Sequence, residues 1–293
     1  MLYLFGSIFL SSYLTLAFKL CERYQISIFQ AIVYNYITCV LVGSIVNGGF
    51  PINATTLHTK WFQWACVMGV MFIATFNVVG ITAQKMGVAV ASVSNKLSLI
   101  IPVVLSVYLY HETVQSWKLL GVILALVAVA LTCYQTNDGS KKNIGKWNYL
   151  LPIILFIGSG LIDALINHVQ QTYVNAENNN AYLISVFFAA ASIGSIILIV
   201  QMLRKKQVFQ LKNLIAGIII GIPNYFSIWC LVHFLQAGVW PSSASIPVNN
   251  MGIVLFSSVT AWFLFKERLS KINWMGIVLS LIAIYLIAFG ANF

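Results

Sequence analysis

Charged residues are scarce in this chain of 293 residues: Asp, Glu, Lys and Arg together make up 8% of it, and only six residues are acidic. Hydrophobic residues make up 60%, and the mean hydropathy is +0.90. Soluble domains carry about 25% charged residues, so this composition excludes a soluble globular protein. We predict an all-α membrane protein, because apolar runs of about 20 residues, the length that crosses a bilayer as a helix, recur along the whole chain.

Several chemical motifs are absent as well. The sequence has no G-x-x-x-x-G-K-[ST], H-E-x-x-H or G-x-S-x-G, so it indicates neither an ATP site nor the commonest hydrolases. The five cysteines are odd in number and form no C-x-x-C pair, which favours apolar core residues over disulfides or metal ligands. The net charge of +10 is spread over short loops. We therefore predict no enzymatic activity, metal, cofactor or nucleic-acid partner.

Ten apolar segments are each long enough to span a membrane as a helix. Polar turn compositions separate them, such as N-G-G-F-P at 47–51. The predicted spans are approximately 2–20, 28–46, 62–82, 88–110, 117–135, 148–170, 181–202, 213–235, 240–264 and 272–290.

Basic residues lie mostly on one side of this predicted topology. With Lys96 set aside because it lies inside a span, thirteen of the remaining fifteen fall in odd-numbered connections, and only Lys60 and Lys118 fall in even-numbered ones. Lys and Arg accumulate in short cytoplasmic loops. We therefore predict a multi-pass protein of the cytoplasmic (inner) membrane with both termini outside.

The sequence also contains an internal duplication. Residues 88–133 align with 239–288, and eight residues recur at a constant offset, among them Asn95 with Asn250. Five helices per copy is an odd number, so the copies would insert in opposite orientations, as the inverted repeats of secondary transporters do. We predict a first five-helix repeat over 1–135, a cytoplasmic linker over 136–147 and a second five-helix repeat over 148–293.

With these features the chain resembles the ten-helix EamA-type members of the drug/metabolite transporter superfamily. The resemblance covers the whole length and is strongest in the motif A-x3-G-x14-P-x9-E-x8-G, formed by Ala83, Gly87, Pro102, Glu112 and Gly121. The second copy repeats the motif in part and has Ser257 in place of the proline. The resemblance implies a small-metabolite carrier with a central cavity between the repeats.

Lys96 stands out because it lies within the apolar run 88–110. A charge at bilayer depth costs from ~3 kcal/mol on insertion scales to ~10 kcal/mol or more in simulations, so it persists only where it is paired, hydrated or snorkelling. Its counterpart in the second copy is Met251. Two compatible hypotheses stay open: Lys96 attracts an anionic group of a substrate, or it forms an ion pair with Asp163.

Polar residues of the sixth, eighth and ninth spans complete the predicted substrate site. Asp163 is a candidate counter-ion or proton-coupling site, since a carboxylate at bilayer depth is expensive. Prolines in the last two of these spans free backbone carbonyls, which are tolerated at this depth only where protein or a wet cavity satisfies them. The aromatic residues there serve packing or recognition. The predicted substrate-binding residues are Asn95, Lys96, Asp163, Asn167, Asn224, Tyr225, Trp229, Ser245, Asn249 and Asn250.

These observations predict a secondary active transporter of a small polar metabolite that works by alternating access. An anionic or zwitterionic substrate is one hypothesis, given the lysine. The predicted partners are the small-molecule substrate, membrane lipid and either a coupling proton or an exchanged solute. The alternative is a membrane enzyme or a lipid scramblase on the same scaffold; a scramblase would need a polar furrow that is open to lipid.

Overall fold

The computed structural model describes residues 1–102, 104–105, 116–134, 146–175, 178–237, 242–267 and 269–289, with the backbone alone described at 118, 146, 167, 170, 171 and 242–244. These residues form α-helices and one 3-10 turn, at Lys146–Tyr149. The α-helices are α1 Leu2–Arg23, α2 Ile28–Val46, α3 Ala54–Leu57, α4 Lys60–Lys85, α5 Val88–Leu97, α6 Ser116–Cys133, α7 Leu150–Tyr173, α8 Asn179–Leu203, α9 Leu211–Gln236, α10 Ser242–Phe265 and α11 Lys271–Phe289.

Eight stretches of the described residues are long and apolar enough to cross a membrane, and they lie in α1, α2, α4 and α7 to α11. Two shorter apolar helices, Val88–Pro102 and Leu119–Cys133, lie at the predicted fourth and fifth spans. Large apolar side chains such as Leu41 and Phe263 are exposed on these helices, as lipid contact requires. The chain is therefore a multi-pass membrane protein. The count of ten spans and their orientation stay predictions.

The turn residues seen in the sequence end the second span where predicted. The Gly48 N–H donates to the Ile45 carbonyl at 3.1 Å, and the Gly49 N–H donates to the Ser44 carbonyl at 2.8 Å. Gly48 has a φ of +78°, which an L side chain rarely adopts. These two bonds form a Schellman motif that satisfies the last carbonyls of α2. The predicted linker 136–147 lies almost entirely outside the described residues.

The predicted fourth span, 88–110, is not one continuous helix over its described part. α5 ends at Leu97, residues 98 and 99 form a turn, and helix resumes at Ile100. The Ser98 hydroxyl donates to the Asn95 carbonyl at 2.6 Å, and the Ile101 N–H donates to the Ser98 carbonyl at 2.9 Å, three residues back instead of four. These local bonds replace α-helical bonding and interrupt the helix.

Packing divides the chain into two compact units. Unit 1 comprises Met1–Lys19, Val78–Leu161 and Phe226–Phe293, and unit 2 comprises Leu20–Asn77 and Ile162–Tyr225. Each unit draws segments from both predicted repeats, 1–135 and 148–293. The predicted duplication, its linker and its inverted orientation stay predictions.

Close helix contacts hold unit 1 together. A Cβ on Gly276 of α11 would lie 2.7 Å from the Thr132 backbone nitrogen of α6, so the two backbones nearly touch. The side-chain amide of Asn273 donates to the carbonyls of Thr132 at 2.9 Å and Tyr134 at 2.7 Å, which satisfies carbonyls at the end of α6. Buried residues from α5, α6, α10 and α11 form the core, including Val93, Leu97, Ala128, Val254 and Ile284.

The core of unit 2 contains both small residues at helix contacts and large aromatic rings. A Cβ on Gly69 of α4 would lie 2.7 Å from the Ala190 backbone nitrogen of α8, so these helices also pack at the backbone level. Tyr36 and Phe187 are fully buried, with ring centroids 6.0 Å apart. Because protein interiors are close-packed, such a core leaves little room for substitution.

Glu267 fixes the start of α5. Its carboxylate accepts a hydrogen bond from the buried Val88 N–H at 3.0 Å. Gly87 packs against the same carboxylate and has a φ of +105°. We expect Glu267→Ala to lower the stability by about 2–3 kcal/mol, because it leaves a buried donor unsatisfied and removes a charge that favours a helix N-terminus. Glu267→Gln keeps an accepting oxygen and should lose much less. Apparent melting temperatures in detergent check this order, and equal losses would contradict it.

Candidate substrate-binding site

Asn95 and Lys96 lie in the last turn of α5, directly before its interruption, and both are half-buried. Their neighbours Val93 and Leu97 point into the core of unit 1 and are fully buried. Lys96 therefore lies on another side of α5, four residues after Ser92 on the same helix face. Discontinuous helices form the substrate sites of many secondary transporters.

Buried hydroxyl groups connect α1, α5 and α10 near this position. The Ser257 hydroxyl donates to the Ser92 hydroxyl at 2.8 Å, and both residues are buried. The Ser12 hydroxyl donates to the Ile253 carbonyl at 3.4 Å. Ser257 is the residue that replaces the motif proline in the second copy, so this departure from the motif provides a polar contact to the helix that carries Lys96.

The predicted residues of α10 are buried polar groups. Ser245 is fully buried, Asn249 is 2% exposed and Asn250 is 8% exposed. Pro247 lies inside the same helix and lacks an N–H, so the carbonyl four residues before it loses its helical donor. Several hydrogen-bonding groups therefore lie near the start of the candidate membrane span Ser245–Phe265.

Some buried polar atoms of unit 1 have no hydrogen-bond partner among the described residues. They include the Asn249 side-chain oxygen and the hydroxyls of Ser7, Ser159 and Ser258. Leaving such a group unsatisfied costs about 1–3 kcal/mol, and buried polar groups in native proteins are nearly always bonded to protein, water or a ligand. These atoms on α1, α7 and α10 are therefore places where water or a polar solute would be stabilised.

Unit 2 contains a second polar group, around the predicted residue Asn224 on α9. Its side-chain amide donates to the Asn35 side-chain oxygen of α2 at 3.1 Å, and both residues are buried. Within the described part of the chain, the Asn35 side-chain nitrogen has no partner of its own. Our sequence prediction missed Asn35, although an amide in the middle of an apolar span was a usable signal.

The two predicted aromatic residues pack against other side chains. Tyr225 is 4% exposed and lies against Gly43 of α2 in unit 2. Trp229 packs in unit 1 against Tyr3 and His233, with ring centroids 5.7 Å and 3.8 Å away. The His233 Nδ1 lies 2.9 Å from the Trp229 carbonyl oxygen. Both aromatic rings therefore have packing partners within the protein. Recognition of substrate by Tyr225 and Trp229 stays a prediction.

Asp163 and Asn167 lie on α7, as predicted. Asp163 is exposed, and the side chain of Asn167 lies outside the described residues. Asp163 belongs to unit 2 and Lys96 to unit 1. The hypothesis that these two residues form an ion pair stays a prediction, as does the central cavity that the family resemblance implies.

Comparison with known proteins relates the second half of the chain to a known family. Residues 150–289 match the sequence model of the EamA-like transporter family. A Haemophilus influenzae protein described as uncharacterized is 25% identical over 272 residues, which cover 91% of this chain and 90% of that protein. A solved crystal structure shares the fold, with a TM-score of 0.64 at 14% identity over 99% of this chain and 96% of that one. Residues 150–289 are therefore similar to the EamA-like transporter family, and the resemblance predicted from the sequence is confirmed over these residues.

Proposed function

We propose that this protein is a secondary active transporter that moves a small polar metabolite, anionic or zwitterionic, across the cytoplasmic membrane by alternating access. The observation that carries the proposal is the interruption of α5 directly after Asn95 and Lys96. Irregular backbone at bilayer depth is tolerated where protein or a wet cavity satisfies it. In transporters such helix breaks accompany substrate sites near the midplane.

The position of Lys96 along the helix supports this assignment. It lies eight residues after the start of α5 at Val88, which corresponds to about 12 Å at 1.5 Å per residue. A bilayer core is about 30 Å thick, so a helix that enters the core at Val88 would place the lysine well inside it. In this proposal Lys96 attracts the anionic group of the substrate, while the amide groups of Asn95, Asn249 and Asn250 bind its remaining polar atoms.

The interruption of α5 also offers a place for movement. When a protein closes around a ligand, its hinge consists of a few residues whose backbone dihedral angles change. We assign this role to Ser98 and Leu99, which link two helical segments by a turn. Asp163 is the candidate for proton coupling, and exchange against a second solute is the alternative mode of coupling.

Reconstitution into proteoliposomes tests the proposal. We expect uptake or exchange of at least one member of a panel of labelled amino acids, organic acids and phosphorylated metabolites, above the background of protein-free vesicles. Lipid flip-flop should stay at background in the same vesicles. Flip-flop without flux of any solute would contradict the proposal and favour a scramblase, and turnover of a lipid or solute into a new compound would favour an enzyme.

A further inference from the structure

A surface groove follows the last turns of α8. Its described walls enclose about 330 Å³ and are formed by Ile196, Ile197, Val200, Gln201, Arg204 and Lys206. Residues four apart lie on one helix face, so Ile196, Val200 and Arg204 form a stripe. The stripe changes from apolar to basic over eight residues, or about 12 Å. We propose that this groove binds one anionic phospholipid, with its phosphate at Arg204 and Lys206 and an acyl chain along the apolar residues.

The basic end of the groove has a defined backbone. The Lys206 N–H donates to the Gln201 carbonyl and the Lys205 N–H to the Met202 carbonyl, both at 2.9 Å. Lys205 adopts a φ of +55° at this point. These bonds form a Schellman motif that closes α8, and a non-glycine residue in this conformation costs energy. The positions of Arg204 and Lys206 are therefore set by the end of the helix.

The residues that follow are tied to the start of α2. The Gln207 side-chain oxygen accepts from the Gln30 side-chain amide at 2.6 Å, and the Val208 carbonyl accepts from the same amide at 3.0 Å. The Asn213 side-chain amide donates to the Gln30 oxygen at 2.7 Å, and Gln30 is 1% exposed. This network fixes the segment after Lys206. A site that is already ordered loses less entropy when a ligand binds.

The surroundings favour a lipid over a soluble anion. Ile196, Leu203 and Val208 are 62%, 78% and 70% exposed, and α8 is a membrane-spanning helix, so acyl chains cover this surface. Arg204 directly follows the last residue of α8, so a membrane-spanning α8 would place it near the lipid phosphates, and an arginine can bind a phosphate through two parallel hydrogen bonds. Neighbouring lysines add attraction for lipids with net negative charge. A soluble phosphate would leave the apolar part of the groove unused.

A second groove offers an internal comparison. It lies along α11 in unit 1, encloses about 480 Å³, and has Leu131, Trp274, Val278 and Ile282 among its apolar walls. Its described lining includes one basic residue, Lys271. A single cation gives less preference for an anionic headgroup. We therefore expect the α8 groove to select anionic lipids more strongly than the α11 groove does.

Native mass spectrometry of the full chain in detergent tests this proposal, with phosphatidylglycerol and phosphatidylcholine added at equal concentration. We expect the wild-type protein to retain phosphatidylglycerol preferentially. The double change Arg204→Gln and Lys206→Gln should weaken its retention roughly thirty-fold, as expected for two basic residues at an anionic lipid. The matched control Lys60→Gln and Lys85→Gln removes the same charge at the two ends of α4, outside the described lining of the groove, and should lose much less.

Three results would overturn the proposal. They are equal retention of both lipids by the wild-type chain, unchanged retention of phosphatidylglycerol in the Arg204 and Lys206 variant, and displacement of the lipid by millimolar inorganic phosphate. The first and third use the wild-type protein, so they decide the matter even if the variant fails to fold. The proposal does not rest on transport: a chain that moves no solute would still be expected to bind this lipid.

Discussion

Lys96→Met is expected to reduce solute flux nearly to the level of protein-free vesicles, at substrate concentrations near the wild-type half-maximal value, while the protein stays folded. The change copies Met251, the aligned residue of the second copy, and removes the cation beside the interruption of α5. Hydrogen bonds to charged groups contribute about 1.5–3 kcal/mol. If Lys96 binds an anionic group, its loss should therefore raise the substrate concentration needed for half-maximal flux by roughly 10-fold to 150-fold.

Two variants serve as controls for this prediction. Lys96→Arg keeps the charge and should retain part of the flux. Lys85→Met removes a lysine from the end of α4, where its ammonium lies 3.3 Å from the Asn148 side-chain oxygen in an exposed contact, and should leave flux nearly unchanged. Normal flux with an unchanged half-maximal concentration in Lys96→Met would contradict a substrate-binding role.

A structural ion pair with Asp163 gives a different pattern. Removing one partner of an ion pair at bilayer depth leaves the other charge unpaired, at a cost of about 3 kcal/mol or more. In that case Lys96→Met would lower the apparent melting temperature strongly, and adding Asp163→Asn would restore much of the loss. A substrate-binding lysine instead predicts a small change in stability and no rescue of flux by the second change.

Helix positions could be predicted well from the sequence, because apolar length and turn composition directly reflect the membrane's requirements. The predicted second span, 28–46, coincides with α2, and the predicted eighth span, 213–235, lies within α9. The interruption of α5 could not be predicted in this way. It depends on two local hydrogen bonds, one of them donated by the Ser98 hydroxyl, while the surrounding residues form one continuous apolar run in the sequence.

The buried polar groups show the same limit. Asn224 could be found because it follows a proline inside an apolar span, but its partner Asn35 lies 189 residues away along the chain. Periodicity within one helix carries no information about which helix lies opposite. The role of Ser257 was likewise missed: the sequence showed only a missing proline, whereas the structure shows a hydroxyl bonded to Ser92.

The contact between α9 and α2 has a signal that is readable from the sequence, the spacing G-x-x-x-G at Gly217 and Gly221. Two small residues four apart let membrane helices approach closely. The structure shows this approach within unit 2: a Cβ on Gly217 would lie 3.0 Å from the Ala31 carbonyl oxygen, and one on Gly221 would lie 2.7 Å from the Asn35 carbonyl oxygen. Both atoms belong to the backbone of α2, so they cannot rotate away.

Gly217→Ala and Gly221→Ala are therefore expected to destabilise the protein, although alanine favours a helix interior by about 1 kcal/mol over glycine. Overpacking costs typically about 1–3 kcal/mol and more where neighbours cannot move, and here it also forces apart the Asn35 and Asn224 side chains, whose bond spans this contact. The overpacking term should win, and the double variant should give little monodisperse protein.

Neighbouring residues on the same helix supply the matched controls. Ile218 and Ile219 are 41% and 52% exposed, so Ile218→Ala and Ile219→Ala remove lipid-facing atoms without entering the α2 contact and should change stability little. Apparent melting temperature and the monodisperse fraction in detergent check all four variants. A Gly217→Ala protein as stable as wild type would mean that α2 and α9 can separate at little cost, and the close packing inferred for unit 2 would then be wrong.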